Sequence, residues 1–333
     1  MKLPNVFFRG IFLRALLVCV GTLSFVVHAT GGVIRVGVAT TPLSTPFFVA
    51  DKMGYFREEG LDIVMIDCPS GSNCLKQLLE SKLHFATAAD MPIMFRSFES
   101  VPFRVLATFA TSSNDVKLVA RKSAGIKSSK DLKGKRVGLL RGSVGQYLLD
   151  LTLLAAGIDP NSVSVVNVDV DFNRLGQAAA DPQIDAFALF QPGAQQMSKL
   201  LVADAFVLPI PRLYTLTFNL VTLPDRVGVS EEDQVKMLRA LARAMDFIKA
   251  EPNASMRIVQ ERLKMDAADC AELWTDFRFA LSLNQSLIAT LESDAHWAIQ
   301  AEWIKAKAIP NYLDFIDVRP LKRVRPAQVT VVK

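Results

Sequence analysis

Histidine is scarce in this chain: three in 333 residues, one of them, His28, inside an apolar N-terminal stretch. The other two, His84 and His296, are more than two hundred positions apart and share no H-E-x-x-H spacing. G-x-S-x-G is absent, and so are G-x-x-x-x-G-K-[ST] and G-x-G-x-x-G. The common signatures of zinc hydrolysis, serine acyl transfer, triphosphate binding and dinucleotide binding are therefore missing. Cysteine is sparse too, four in all, with no C-x-x-C pair and no zinc spacing. No large excess of one charge exists, with 38 basic against 33 acidic side chains. Long apolar runs are missing apart from one near the start.

That run, Ala15 to Val27, carries no charge, follows Lys2, Arg9 and Arg14, and ends at Val27-His28-Ala29. A positive stretch, an apolar stretch and small residues before a cut are the layout of a secretory signal peptide, expected here over residues 1–29. A membrane span needs about 18 apolar residues, which this run lacks. Cys19 is a poor lipidation site, since Val18 precedes it and the apolar stretch continues past it. Removal of the segment takes three positive charges and no acid, so a formal net charge of +5 becomes +2. A near-neutral mature chain gives no electrostatic reason to expect a nucleic-acid partner. The expected compartment is the periplasm. An oxidising compartment allows Cys68 and Cys74, in CPSGSNC, to pair as a disulfide; two ordinary thiols are the alternative.

The exported part contains itself twice. Arg35-Val36-Gly37 opens a strand, and Arg136-Val137-Gly138 opens another 101 residues later. Each strand is followed by a helix signal: Thr45-Pro46 with Gly54 at the far end, then Ser143 and Gln146 in an S-x-x-Q capping box with Gly157 at the end. Each unit continues through a β-branched strand, a helix (Leu75 to Ser81; about Asn173 to Ala180) and a buried strand, LHFATAAD or IDAFALFQ. His84 and Asp185 again differ by 101. Two β-α-β-α-β modules predict two similar α/β lobes with largely parallel sheets. From Val229 onward the pattern is helical, Ser230 capping Glu231 and Glu232, with Trp274, Trp297 and Trp303 at helical spacings as core or lobe-packing residues. The tail, residues 319–333, reads as a solvated strap.

The runs Ala50 to Ile63 (ADKMGYFREEGLDI), Gly125 to Gly138 (GIKSSKDLKGKRVG) and Gln183 to Pro192 (QIDAFALFQP) resemble the periplasmic substrate-binding proteins of ABC importers of the nitrate/sulfonate/taurine and thiamine-pyrimidine type (SsuA/THI5-like, NMT1-like). The resemblance runs from Val33 to about Val318. It implies a bilobed type II periplasmic-binding-protein, or Venus-flytrap, fold: two doubly wound α/β lobes joined by a two-segment hinge. Lobe 1 would be discontinuous, 33–111 plus 215–318, and lobe 2 would be 112–214. The chain departs from the family at Ser81 and His84, where glycine and aspartate are frequent. It departs again at Gln191-Pro192-Gly193, where a Glu-Pro-Tyr-like stretch is usual; loss of that carboxylate argues against a strongly cationic ligand.

In open α/β sheets ligands gather at the carboxyl ends of strands. Four loops meet that description, offering Thr41 and Ser44, Asp90 and Met91, Gly142, Ser143 and Val144, and Gln191. Thr111, Ser112 and Tyr214 would line the hinge side. The Gly142–Gly145 turn is a helix N-terminus with free N–H groups, suited to a carboxylate, a sulfonate or a polar ring edge. Ser143 has capping as its alternative role, and so has Asp90. A buried Asp90 needs a partner or solvent, which an amine or ring N–H of a ligand could supply. Asp90 together with the Gly142–Val144 amides would favour an amphoteric or zwitterionic solute.

The expected function is capture of a small polar or anionic organic solute (sulfonate, carboxylate or pyrimidine-like) for delivery to an ABC permease and ATPase complex at the inner membrane. The expected protein is a monomer and not an enzyme, with no cofactor and no metal. Two alternatives stay open: a thiamine-pyrimidine synthase-like enzyme of the same fold, for whose cysteine-rich iron motif CPSGSNC is too sparse, and a periplasmic sensor component.

Overall fold

The computed structural model describes Met1 and residues 32–99, 101–168, 174–224 and 228–332. The expected signal peptide, but for Met1, and Cys19 lie outside the described residues. The chain begins with β1 (Ile34–Ala39), α1 (Thr45–Lys52), α2 (Tyr55–Glu58), β2 (Ile63–Cys68), α3 (Gly71–Leu79), β3 (Phe85–Ala89), α4 (Asp90–Ser97) and β4 (Arg104–Ser112). It continues with β5 (Val116–Arg121), β6 (Arg136–Leu139), α5 (Val144–Ala155), β7 (Ser164–Asn167), α6 (Leu175–Ala180), β8 (Ala186–Phe190), α7 (Gly193–Leu201) and β9 (Ala205–Leu208). Then come β10 (Leu216–Thr222), α8 (Glu231–Ala250), α9 (Pro252–Leu263), α10 (Ala267–Trp274), β11 (Phe277–Ser282), α11 (Gln285–Gln300) and α12 (Arg319–Val324). No helix among the described residues is long and apolar enough to cross a membrane.

Two sheets result, ordered β11-β4-β10-β3-β1-β2 and β7-β6-β8-β5-β9. The expectation of largely parallel sheets needs correction. Within each repeat module the strands β2-β1-β3 and β7-β6-β8 are parallel, but every other pairing is antiparallel. The reason lies in the connections. The chain leaves the first sheet after β4 and enters the second at β5, then returns from β9 to β10, and each entering strand pairs with its sheet against the module's direction. β1 is buried along nearly its whole length, as a strand covered on both faces requires.

The sequence repeat has a physical counterpart. The Arg35 N–H donates to His84 Nδ1 at 2.8 Å, and the Arg136 N–H donates to Asp185 Oδ2, also at 2.8 Å. Arg35 Nε donates to the Lys82 carbonyl, while the Arg136 guanidinium reaches the Gln183 side chain, so each arginine grips the turn leading into the third strand of its own module. Histidine and aspartate thus do one structural job at equivalent places, accepting from a strand-opening amide. The glycine of each R-V-G is crowded. A Cβ on Gly138 would stand 2.9 Å from both Phe187 and Val168.

Two further expectations are corrected. The C-terminal segment is not wholly helical: Phe277–Ser282 pairs antiparallel with β4 as an edge strand. Its Phe-Arg-Phe-Ala-Leu alternation turns Phe277 and Leu281 inward, a period-2 pattern that a helix cannot use. Nor is the tail a solvated strap. Pro320 and Leu321 are buried, and α12 packs on α8, with Arg323 paired to Glu232 at 2.6 Å and Arg325 to Asp246 at 2.6 Å. Of the tryptophans, Trp297 is buried and Trp274 half-buried, whereas Trp303 is exposed beside Gly142.

The largest apolar cluster surrounds the first sheet but also takes in Val144, Tyr147 and Leu148 of α5. Helix α5 is therefore shared, with Leu149 and Leu153 facing its own sheet and Tyr147 facing Trp297 of α11 at 5.1 Å between ring centres. Hydrogen bonds reinforce this seam: Tyr147 Oη to Ser293 Oγ at 2.9 Å and Trp297 Nε1 to Asp150 Oδ2 at 2.8 Å. Elsewhere Lys117 of β5 and Asn114 of the crossing both hold Asp276, at 3.0 and 2.8 Å.

Candidate functional site

The carboxyl ends of strands from both sheets meet one cavity of about 380 Å³. From the first sheet come Thr40 and Thr41 after β1, Ser70 and Gly71 after β2, and Met91, Phe95 and Arg96 from the helix after β3. From the second come Gly142, Ser143 and Val144 after β6, then Gln191 and Pro192 after β8, which are joined by a cis peptide bond. Asp115 reaches the wall from the crossing between the sheets.

Local chemistry places each loop. The Ser70 hydroxyl accepts the Asn73 N–H at 3.2 Å and starts α3 at the cavity edge. Gly71 lets that turn approach the sheet, since a Cβ there would lie 3.1 Å from the Ala88 backbone and from the Phe218 ring. At α5 the expected capping box closes with a shift of one residue. Ser143 Oγ accepts from Gly145 N at 3.1 Å, and Gln146 Oε1 accepts from Gly142 N, not Ser143 N, at 3.0 Å. Gly142 holds φ +67°, a left-handed turn that a side chain would strain. Of the Gly142–Val144 amides expected to face a ligand, that of Gly142 is thus held by the protein's own Gln146 side chain, and Ser143 does cap its helix.

Much of the wall is apolar, with Leu43, Val144, Leu216 and the rings of Phe95, Phe190 and Phe218. Such a lining takes up a flat organic body, with a few polar groups setting its orientation. Arg96 and Glu99 lie on the wall as an ion pair at 2.5 Å, so their charges largely cancel. Asp115 differs from both. It is buried, and its Oδ1 has no hydrogen-bond partner. Burial pushes its carboxyl up to about 7, Lys117 opposing and Asp276 adding to the rise.

Thr41, Met91, Gly142, Ser143, Val144 and Gln191 line the cavity; Ser44, Asp90, Thr111, Ser112 and Tyr214 do not. Asp90 is fully buried and satisfied within the protein. It accepts from the Met91 N–H at 2.8 Å, from the Thr217 N–H at 2.6 Å, from the Thr217 hydroxyl at 3.1 Å and from the Tyr214 hydroxyl. Burial raises its carboxyl to about 6 against those four donors. Asp90 therefore ties α4 to β10, and Tyr214 belongs to that tie. Ser112 is buried and Thr111 half-buried on β4, an inner strand with β10 on one side and β11 on the other. Ser44 is sealed at the start of α1, its hydroxyl without a partner. Asp115, Phe95, Arg96, Phe190 and Phe218 were not singled out from the sequence. An acid between the polar SSN and the apolar VKLVA, three residues past the expected crossing, was the available signal for Asp115.

Behind Asp90 lies Asp294 of α11, fully buried, with no hydrogen-bond partner on either oxygen. Burial first, and the charge of Asp90 second, hold its carboxyl well above the usual range. Four donors favour the charge on Asp90, so Asp294 keeps the proton. Cys68 and Cys74 form a disulfide, their Cα atoms 5.5 Å apart, between β2 and α3. His84 supports β1 from outside the cavity, and His296 is exposed on α11.

Two sheets of like order, crossed twice by the chain and sharing one cavity at their strand ends, define the bilobed periplasmic-binding-protein fold. The chain belongs to the NMT1/THI5 like family, whose model matches residues 41–255. A Brucella abortus protein provisionally named as a binding protein is 25% identical over 258 residues, 74% of this chain and 75% of its own. A 4-amino-5-hydroxymethyl-2-methylpyrimidine phosphate synthase of Legionella pneumophila is 28% identical over 132 residues. That match spans 40% of this chain and only 41% of the enzyme. Among solved structures, the periplasmic aliphatic sulphonate-binding protein of Escherichia coli superposes with a TM-score of 0.73 at 16% identity, over 86% of this chain and 92% of that one.

Proposed function

We propose that this chain is an extracytoplasmic solute-binding protein. It captures a small organic solute between two lobes, 33–111 with 215–318 and 112–214, and delivers it to an ABC permease and ATPase complex at the inner membrane. The observation that carries this reading is the single cavity of about 380 Å³ walled by strand ends of both sheets. A solute there touches both lobes at once, so binding stabilises their closed arrangement, and closure brings into register the two surfaces that an importer reads. The apolar rings favour a one-ring or short-chain solute, and the starts of α3 and α5 favour a polar or anionic end. Residues 1–29 serve as the export signal and the working form is a monomer. The sulphonate-binding and Brucella relatives support the same reading.

The pyrimidine phosphate synthase relative favours a second reading, an enzyme of this fold. Here the two cysteines nearest the cavity are held in a disulfide. One experiment separates the two. Protein prepared gently from the periplasm is stripped of solute by mild unfolding, refolded, and followed by small-angle scattering as the stripped fraction is returned. A smaller radius of gyration, with the solute recovered unchanged by mass spectrometry, supports binding. Chemical conversion of the returned solute would replace this reading with the enzymatic one.

A further inference from the structure

Asp115 is a buried carboxylate on the cavity wall whose Oδ1 has no hydrogen-bond partner. It stands in the crossing between β4 and β5, beside Asn114 and Lys117, which are engaged elsewhere. Ser112 Oγ takes the Asn114 N–H at 3.1 Å, Asn114 and Lys117 hold Asp276, and the Asp115 carbonyl accepts the Gln191 N–H at 3.1 Å. The backbone of Asp115 is thus fixed against the end of β8, and its side chain sits at 3% exposure beside Gln191, Phe190 and Leu216. An unpartnered carboxylate oxygen in such a place is costly, more so when charged, and a complementary donor removes that cost.

We infer that Asp115 selects the solute: the bound molecule presents an N–H donor, on an amine, amidine or basic ring, to the carboxylate of Asp115 while its flat body lies among Phe95, Phe190 and Phe218. This rests on the solute-binding reading and adds the polarity of one end of the solute. It transfers to Asp115 the role that the sequence suggested for Asp90, which is already saturated. Other charges facing the site leave that role open. Arg96 is paired to Glu99, Lys117 to Asp276, and Asp90 is enclosed by its four donors.

A carboxylate that titrates near neutrality would make the affinity for a cationic donor depend on pH. The acceptor is the ionised form, so binding strengthens as pH rises. Between pH 6 and pH 8 the ionised fraction of a group with pKa about 7 grows about tenfold, and so should the affinity. Benzamidine and benzylamine form one arm of the test, benzoate and benzenesulfonate the other, each measured by thermal shift and calorimetry on wild type and Asp115→Asn. Native mass spectrometry identifies the solute that the wild-type protein retains, a readout that needs no variant.

Expected are stabilisation by the amidine and amine, a tenfold or greater loss in Asp115→Asn, and a pH profile that flattens in that variant. A retained solute lacking any N–H group, or equal donor binding by wild type and variant, overturns the role of Asp115 and leaves the binding-protein reading standing. If neither arm shifts the wild type and no solute is retained, both fall together.

Discussion

At the scale of single residues, the partners of a buried acid decide whether it carries a proton. Asp294 has a carboxyl held above its ordinary range by burial and by Asp90. Its folded pKa exceeds the unfolded one, so the stability it allows is full in acid and is lost as pH rises from the ordinary carboxylate range toward the folded value. Asp294→Asn cannot ionise. The variant should gain about 1–3 kcal/mol over wild type at pH 8 and much less at pH 5, read from denaturant midpoints. A gain independent of pH would show that Asp294 does not carry the proton. Gly145 offers a second case. A Cβ there would lie 2.5 Å from the Ala188 carbonyl oxygen, a backbone atom that cannot swing aside. Gly145→Ala should cost about 1–3 kcal/mol by overpacking, although alanine is the better helix former.

At the scale of elements, α5 and α11 form the seam that the cores share. Trp297 donates to Asp150, whose carboxyl is raised by burial and lowered by that same bond. Trp297→Phe leaves the carboxyl with no donor from that ring and should lose about 1 kcal/mol, whereas Asp150→Asn keeps an acceptor and should lose less. Thermal melts giving the opposite order would mean the bond is incidental to the seam. The disulfide between β2 and α3 closes so short a loop that the chain-entropy model assigns it about 2–2.5 kcal/mol. Melting with and without reductant, using Cys68→Ser as control, measures that contribution.

At the scale of the whole molecule, the proposed binding event closes two lobes of a single chain on the solute. Sedimentation should therefore return a single chain with and without solute. A dimer that forms only with solute would require a shared site and would contradict this arrangement.

The duplicated modules were legible in the sequence because strand-opening arginines, their acceptors and the crowded glycines recur at one offset: Arg35 with His84, Arg136 with Asp185, Gly37 with Gly138. Those are contacts between neighbouring strands of one module, and local spacing carries them. The helix starts at Ser143 and Ser230 were legible for the same reason, since capping acts over three or four residues. What the tertiary structure alone decided is which acid faces the cavity. Asp90 and Asp115 read alike in a sequence, each an acid at the edge of an apolar strand. Asp90 loses its place on the wall to Tyr214 and Thr217, which lie more than 120 positions further along the chain and meet it only when β10 returns beside β3. Asp115 keeps a free oxygen because its neighbours Asn114 and Lys117 spend their hydrogen bonds on Asp276, while the Gln191 N–H goes to its backbone carbonyl. Polarity at a site depends on which donors the fold brings within about 3 Å, and that distance is set by the crossing of two lobes, not by any local pattern.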